Sequence, residues 1–73
     1  MEDHKILKAF YLISKELEEK LIKLENLELQ LKNAKEHDDI NHAKILLEEY
    51  QSLNRAILEL KKKSEVLKKQ LDL

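Results

Sequence analysis

The chain contains no glycine, no proline, no cysteine and no tryptophan among its 73 residues. The lack of cysteine excludes disulfide bonds, thiolate metal ligands and a cysteine nucleophile. The lack of glycine excludes a phosphate-binding loop of the usual glycine-rich kind. Because glycine and proline are also the residues that interrupt helices most strongly, their joint absence favours long, unbroken helices.

Leucine, lysine and glutamate dominate the residues that are present. There are sixteen leucines and thirteen lysines, and 42% of the chain is hydrophobic while 40% is charged. This composition is typical of long helices and coiled coils. The leucines are regularly spaced, which argues against a disordered chain. The formal net charge is −1, so we expect no general attraction to nucleic acid or to an anionic membrane.

No apolar run approaches the roughly 20 residues that a membrane-spanning helix needs. The chain starts with Met-Glu-Asp-His, which is acidic and lacks the basic start and apolar core of a signal peptide. We therefore predict a cytoplasmic protein that does not associate with membranes.

Apolar residues recur in both halves at alternating steps of four and three, which places them on one stripe of a helix. The stripe of the first half consists of Ile6, Phe10, Ile13, Leu17, Lys20, Leu24, Leu27, Leu31 and Ala34. The stripe of the second half consists of Ala43, Leu46, Tyr50, Leu53, Ile57, Leu60, Ser64, Leu67 and Leu71. We call the two stripes together the seam. A strict seven-residue repeat predicts slight left-handed supercoiling against a partner helix.

The apolar pattern fails around Asp38, Asp39 and Asn41, residues that favour turns and helix caps. Asp3 is the predicted N-cap of a first helix, and Asp39 or Asn41 that of a second. We therefore predict a single domain, 1–73, with a helix over about 3–36, a turn over about 37–40 and a helix over about 41–72.

The two stripes do not share a register, and this distinguishes a straight rod from a hairpin. A single helix of about 110 Å would need a jump equal to five inserted residues, whereas stutters and stammers insert four or three. In an antiparallel hairpin the two stripes face each other along their whole length when the numbers of facing residues sum to 77, as in Leu17–Leu60. In this register Glu16 and Lys63 would form an ion pair across the seam. We therefore predict an all-α fold, an antiparallel two-helix hairpin resembling a coiled coil, completed by homodimerisation or by a partner helix.

Apolar residues outside the seam gather on one side of this hairpin. The predicted partner face consists of Leu7, Tyr11, Leu21, Ile22, Leu29, Leu47 and Leu58. The opposite flank is plainer and holds Ala9, Glu16, Lys23 and Gln30 facing Glu49, Ala56, Lys63 and Gln70. This asymmetry favours a face that accepts another helix or helix pair. Scattered surface leucine is the alternative interpretation.

No residue pattern predicts catalysis, a cofactor or a bound metal. The carboxylates are spread along helical rods with no concavity around them. His37 and His42 bracket Asp38 and Asp39, but a spacing of five does not bring two ligands to one helical face. A solvated polar turn is the preferred interpretation of this segment. We therefore predict a protein that is not an enzyme.

The run Leu46-Leu47-Glu48-Glu49-Tyr50-Gln51 and the size of the hairpin resemble the small co-chaperones of bacterial type III secretion needle subunits. Those are short cytosolic helical hairpins that pair with a larger helical-repeat chaperone and keep the needle protein unpolymerised. The resemblance implies an adaptor or co-chaperone that binds helices of a partner protein, with self-association into a dimer as a further possibility.

A homodimeric four-helix bundle that binds RNA, or serves as a small phage or plasmid regulator, is the alternative function. That architecture resembles the small plasmid RNA-binding bundle proteins. Residues 55–69 supply six basic residues against two acidic ones, and the five lysines among them all lie in Lys61–Lys69. Acidic residues interrupt every basic face, so nucleic acid is the less favoured partner and a solvated helix face is the plainer interpretation.

Overall fold

Two long α-helices joined by a short turn make up residues 2–71, the part of the chain that the structure, a computed structural model, describes. Helix α1 spans Glu2–Glu36 and helix α2 spans Ile40–Gln70, and the two pack side by side in opposite directions. The hairpin measures 55 × 15 × 14 Å, as expected for helices of this length at about 1.5 Å per residue. The predicted all-α hairpin is confirmed, and the straight rod is excluded.

The interface between the helices is the predicted seam. All eighteen seam residues are buried or half-buried. Apart from them, only Ala9, Ser14 and Ala56 among the described residues are not exposed. The most deeply buried residues are Ala34, Leu46, Ile57 and Leu60. Burial therefore follows the seven-residue repeat along both helices.

A hydrogen bond between the helices reports the register of the hairpin. The Tyr50 hydroxyl donates to Glu28, and these two numbers sum to 78, within one of the predicted 77. Near the open end, a shallow groove is lined by Ala9 and Ile13 of α1 together with residues 62–67 of α2, so these segments lie at the same level.

Helix α1 ends in a Schellman motif. The Asp39 N–H donates to the Ala34 carbonyl oxygen at 2.9 Å, and the Asp38 N–H donates to the Lys35 carbonyl oxygen at 3.2 Å. These are the paired bonds of that motif, which places its penultimate residue in the left-handed region. Asp38 accordingly has φ 53°. Aspartate tolerates this conformation better than most residues, but glycine would adopt it without a steric cost.

Asp39 is the N-cap of α2, which confirms one of the two predicted caps. Its Oδ1 atom accepts a hydrogen bond from the His42 N–H at 3.2 Å. Helix α2 begins at Ile40, which was predicted to belong to the turn, so Asn41 lies inside the first helical turn. At the other end the Leu71 N–H donates to the Leu67 carbonyl oxygen at 3.0 Å. The predicted end at residue 72 lies outside the described residues.

The predicted N-cap at Asp3 is wrong. Helix α1 already includes Glu2, so Asp3 lies within its first turn. A helix that starts in solvent leaves its first N–H groups to water and can begin without that side-chain cap. The Asp3 carboxylate there interacts favourably with the positive end of the helix dipole.

Candidate protein-binding surface

All seven residues of the predicted partner face are exposed, from 37% for Leu21 to 67% for Leu29. Helical register divides them into two groups. Ile22 and Leu29 lie on the outer surface of α1, far from α2. The other five border the seam on one side, and they are Leu7, Tyr11, Leu21, Leu47 and Leu58.

Ile40 joins this group of five as a residue that sequence reasoning missed. It was assigned to the polar turn, but it begins α2 seven residues before Leu47 and therefore lies on the same side of that helix. Its side chain is 68% exposed. The spacing of seven was the signal that could have identified it. We call the resulting surface the docking flank, and it consists of Leu7, Tyr11, Leu21, Ile40, Leu47 and Leu58.

An apolar groove opens at each end of the docking flank. The groove at the turn end has a volume of about 360 Å³ and is mainly apolar. Its apolar lining comes from both helices and consists of Leu31, Ala34, Ile40, Ala43 and Leu47. The groove at the open end has a volume of about 660 Å³ and is lined by α1 alone, with the bulky apolar side chains of Leu7, Phe10 and Tyr11 beside His4, Lys8 and Ser14. The turn end is thus built from smaller residues than the open end.

Charged groups lie along the edges of the docking flank. Lys32, Lys35 and Lys44 are exposed near the turn. Nearer the middle, the half-buried Tyr50 donates its hydroxyl hydrogen to Glu28 Oε1 at 3.3 Å. Tyr50 is therefore a seam residue, as predicted, and its hydroxyl lies at the edge of the helix pair. The turn end of the flank thus carries lysines together with the turn carboxylates of Asp38 and Asp39, and the Glu28 carboxylate lies nearer the middle.

Lys20, the charged member of the seam, directs its charge away from the core. Its side chain is 27% exposed, and its Nζ atom lies 3.8 Å from Glu16 Oε1 one helical turn earlier. The stem covers apolar surface while the ammonium reaches solvent. The predicted Glu16–Lys63 ion pair is wrong, because among residues 2–71 Glu16 pairs with Lys20 instead. Residues four apart on one helix are closer neighbours than residues across the seam.

The opposite flank carries more exposed apolar residues than predicted. Leu12, Ile45 and Val66 are each more than half exposed there. They lie three residues after Ala9, His42 and Lys63, so they border that flank without belonging to the seam. The docking flank still carries twice as many large apolar residues.

The polar side chains of the turn are used by the turn itself. His37 Nδ1 lies 2.8 Å from the Asn33 carbonyl oxygen at the end of α1, and Asp39 caps α2. Within residues 2–71 no three histidine or carboxylate side chains are grouped so as to hold a metal ion. Neither described helix has a stretch long and apolar enough to cross a membrane.

Comparison of this chain with protein-family models, with curated proteins and with solved structures finds no match.

Proposed function

We propose that this chain is a non-enzymatic interaction module, an adaptor or co-chaperone, that packs its docking flank against helices of a partner chain. The observation that carries the proposal is the gathering of six exposed, large apolar side chains on one flank, with an apolar groove at each end. Apolar patches of this kind mark interaction sites. A long, straight flank between two helices suits a helix laid along it.

A partner also completes a core that the hairpin alone leaves small. Ala34, Leu46, Ile57 and Leu60 are the buried apolar residues of the described part of the chain, and the rest of the seam is half-buried. A single core in a domain of fewer than about 70–80 residues rarely supplies more than about 3–5 kcal/mol. Because full burial of one leucine contributes about 1.5–3 kcal/mol, covering the docking flank would add substantially to this stability.

The resemblance to the co-chaperones of type III secretion needle subunits supports one form of the proposal. In that form the hairpin works in the cytosol, pairs with a larger helical protein and helps to keep a helical client from assembling. The exposed apolar flank supplies the surface that such pairing needs.

The proposal is tested by paired charge substitutions on the two flanks. Leu21→Asp with Leu47→Asp places one carboxylate on each helix of the docking flank, at positions that are 37% and 47% exposed. Leu12→Asp with Ile45→Asp is the matched control, with one carboxylate on each helix of the opposite flank. Circular dichroism first establishes that both variants keep the helical content of the unsubstituted chain.

Affinity capture from the native cell and sedimentation mass are then compared for the three proteins. We expect the docking-flank variant to lose its captured partner and the control to keep it, because a buried carboxylate without a partner opposes association. Equal capture and equal mass for all three proteins would remove the docking flank from consideration.

RNA binding by a homodimeric bundle is the second candidate, and one observation favours it. The lysines of Lys61–Lys69 are all exposed, and within the described part of the chain none of them pairs with an acidic residue of α1. Their charge is therefore available to a phosphate backbone. Retardation of RNA that weakens steeply with salt would support this function, and no retardation at low salt would exclude it.

A further inference from the structure

We propose that the occupant of the docking flank is a second copy of this chain, packed antiparallel in a two-fold symmetric four-helix bundle. The inference rests on the proposed function, since it names what covers the same flank. It starts from the positions of the six apolar residues along the hairpin.

The docking flank is nearly symmetric about its own middle. At about 1.5 Å per residue from Asp38, Leu7 lies about 47 Å and Ile40 about 3 Å along the hairpin, so their midpoint is at about 25 Å. Tyr11 and Leu47, at about 41 and 14 Å, have their midpoint at about 27 Å.

The two remaining flank residues lie at that same middle. Leu21 and Leu58 are about 26 and 30 Å from the turn. A two-fold axis across the hairpin at about 27 Å therefore brings each of these six residues to within about 5 Å of the level of an apolar flank residue of the other copy. The layer of Leu7 would contain the second copy's Ile40, and the layer of Tyr11 would contain its Leu47.

Side-chain size favours the antiparallel arrangement over a parallel one. Both ends carry a groove, but the lining of the open end includes the large side chains of Leu7, Phe10 and Tyr11, whereas the lining of the turn end includes the small residues Ala34 and Ala43. Antiparallel packing places the bulky end of each copy over the groove of the other. Parallel packing would instead set the aromatic residues of both copies against each other at the open end and leave no large side chain opposite Ala34 and Ala43 at the turn end.

The area of the flank is sufficient for a stable dimer. A face of 55 by 15 Å amounts to roughly 800 Å², which is about what each partner contributes to a standard stable interface. The two-fold axis is also compatible with a bundle in which each helix lies antiparallel to its neighbours, as in simple four-helix bundles.

Sedimentation and crosslinking of the purified chain test this inference. The chain contains no cysteine, so single-cysteine variants report single positions. Tyr11→Cys and Leu47→Cys proteins are mixed and treated with a short bifunctional maleimide. Leu12→Cys and Ile45→Cys proteins form the matched control on the opposite flank. Each protein carries a single cysteine, so every crosslink joins two copies. The two positions of each pair also lie about 27–29 Å apart along one hairpin, so a short linker joins them only where the second copy runs in the opposite direction.

We expect a sedimentation mass of twice 8.7 kDa and a crosslinked yield at least tenfold higher for Tyr11–Leu47 than for Tyr11–Tyr11 or Leu12–Ile45. We also expect Leu21→Asp, which places two carboxylates at the two-fold axis, to halve the mass. A helical chain of monomer mass would overturn the inference, and so would a dominant Tyr11–Tyr11 or Leu12–Ile45 product. Loss of partner capture by the docking-flank variant would still support the proposed function in those cases, so the two claims fail separately.

Discussion

Replacement of Ile57 by alanine tests whether the seam holds the hairpin together. Ile57 is 2% exposed, the lowest value among the buried apolar residues. The substitution removes three buried carbon groups, which at about 0.8 kcal/mol each amounts to roughly 2.4 kcal/mol. The cavity left behind adds to this cost, whereas the higher helix propensity of alanine returns about 0.4 kcal/mol. We therefore expect a loss of about 2.5–3 kcal/mol in the free energy of unfolding.

Ile45→Ala is the matched control, because it makes the same substitution on the same helix at a site that is 56% exposed. Its expected cost is below about 1 kcal/mol. Thermal unfolding followed by helical circular dichroism, at one fixed chain concentration, should show Tm lowered by about 10–20 °C for Ile57→Ala and by only a few degrees for the control. Equal shifts for the two variants would refute burial of the seam as the source of stability.

Three further substitutions test local features by urea unfolding. Asp38→Gly should raise the free energy of unfolding by about 0.5–1 kcal/mol, since glycine adopts positive φ without strain; a loss would contradict the left-handed turn. Asp39→Ala should lower the free energy of unfolding by about 1 kcal/mol, because it removes the acceptor of the His42 N–H. No change would mean that this cap does not contribute to stability. Lys20→Leu should raise the free energy of unfolding by about 1 kcal/mol, because the added apolar burial in the seam outweighs the lost ion pair with Glu16, worth about 0.3–0.5 kcal/mol. A lower free energy of unfolding would show that the Lys20 ammonium stabilises the hairpin.

The seam could be predicted because burial in a helix pair follows the same angular period as the sequence pattern. Lys20 was correctly assigned to the seam despite its charge, since register and not residue type set its position. The turn could be located for a related reason, because the two registers are compatible only if the chain reverses. Backbone details that depend on a single residue could not be predicted from the pattern. The positive φ of Asp38 follows from a Schellman motif whose position must be known to within one residue.

The candidate surface was predicted in its main features and incompletely in its members. The opposite flank was judged by the residues directly beside the seam, such as Ala9 and Lys63, so Leu12, Ile45 and Val66, which lie one helical turn farther round, were not singled out. Ile40 was missed because the start of α2 was placed one residue too late. The partner of Glu16 was mispredicted because surface ion pairs differ by only a few tenths of a kcal/mol, which pattern alone does not resolve.

The distance between the open ends of the two helices tests the folded-back chain most directly. Lys8→Cys and Lys69→Cys place spin labels at exposed positions whose numbers sum to 77, and dilution with unlabelled chain isolates the distance within one molecule. Packed helices 8–10 Å apart predict a label separation of about 20–30 Å by pulsed electron–electron resonance. A separation of about 90 Å, the length of 61 residues in one continuous helix, would contradict the hairpin and the docking flank together.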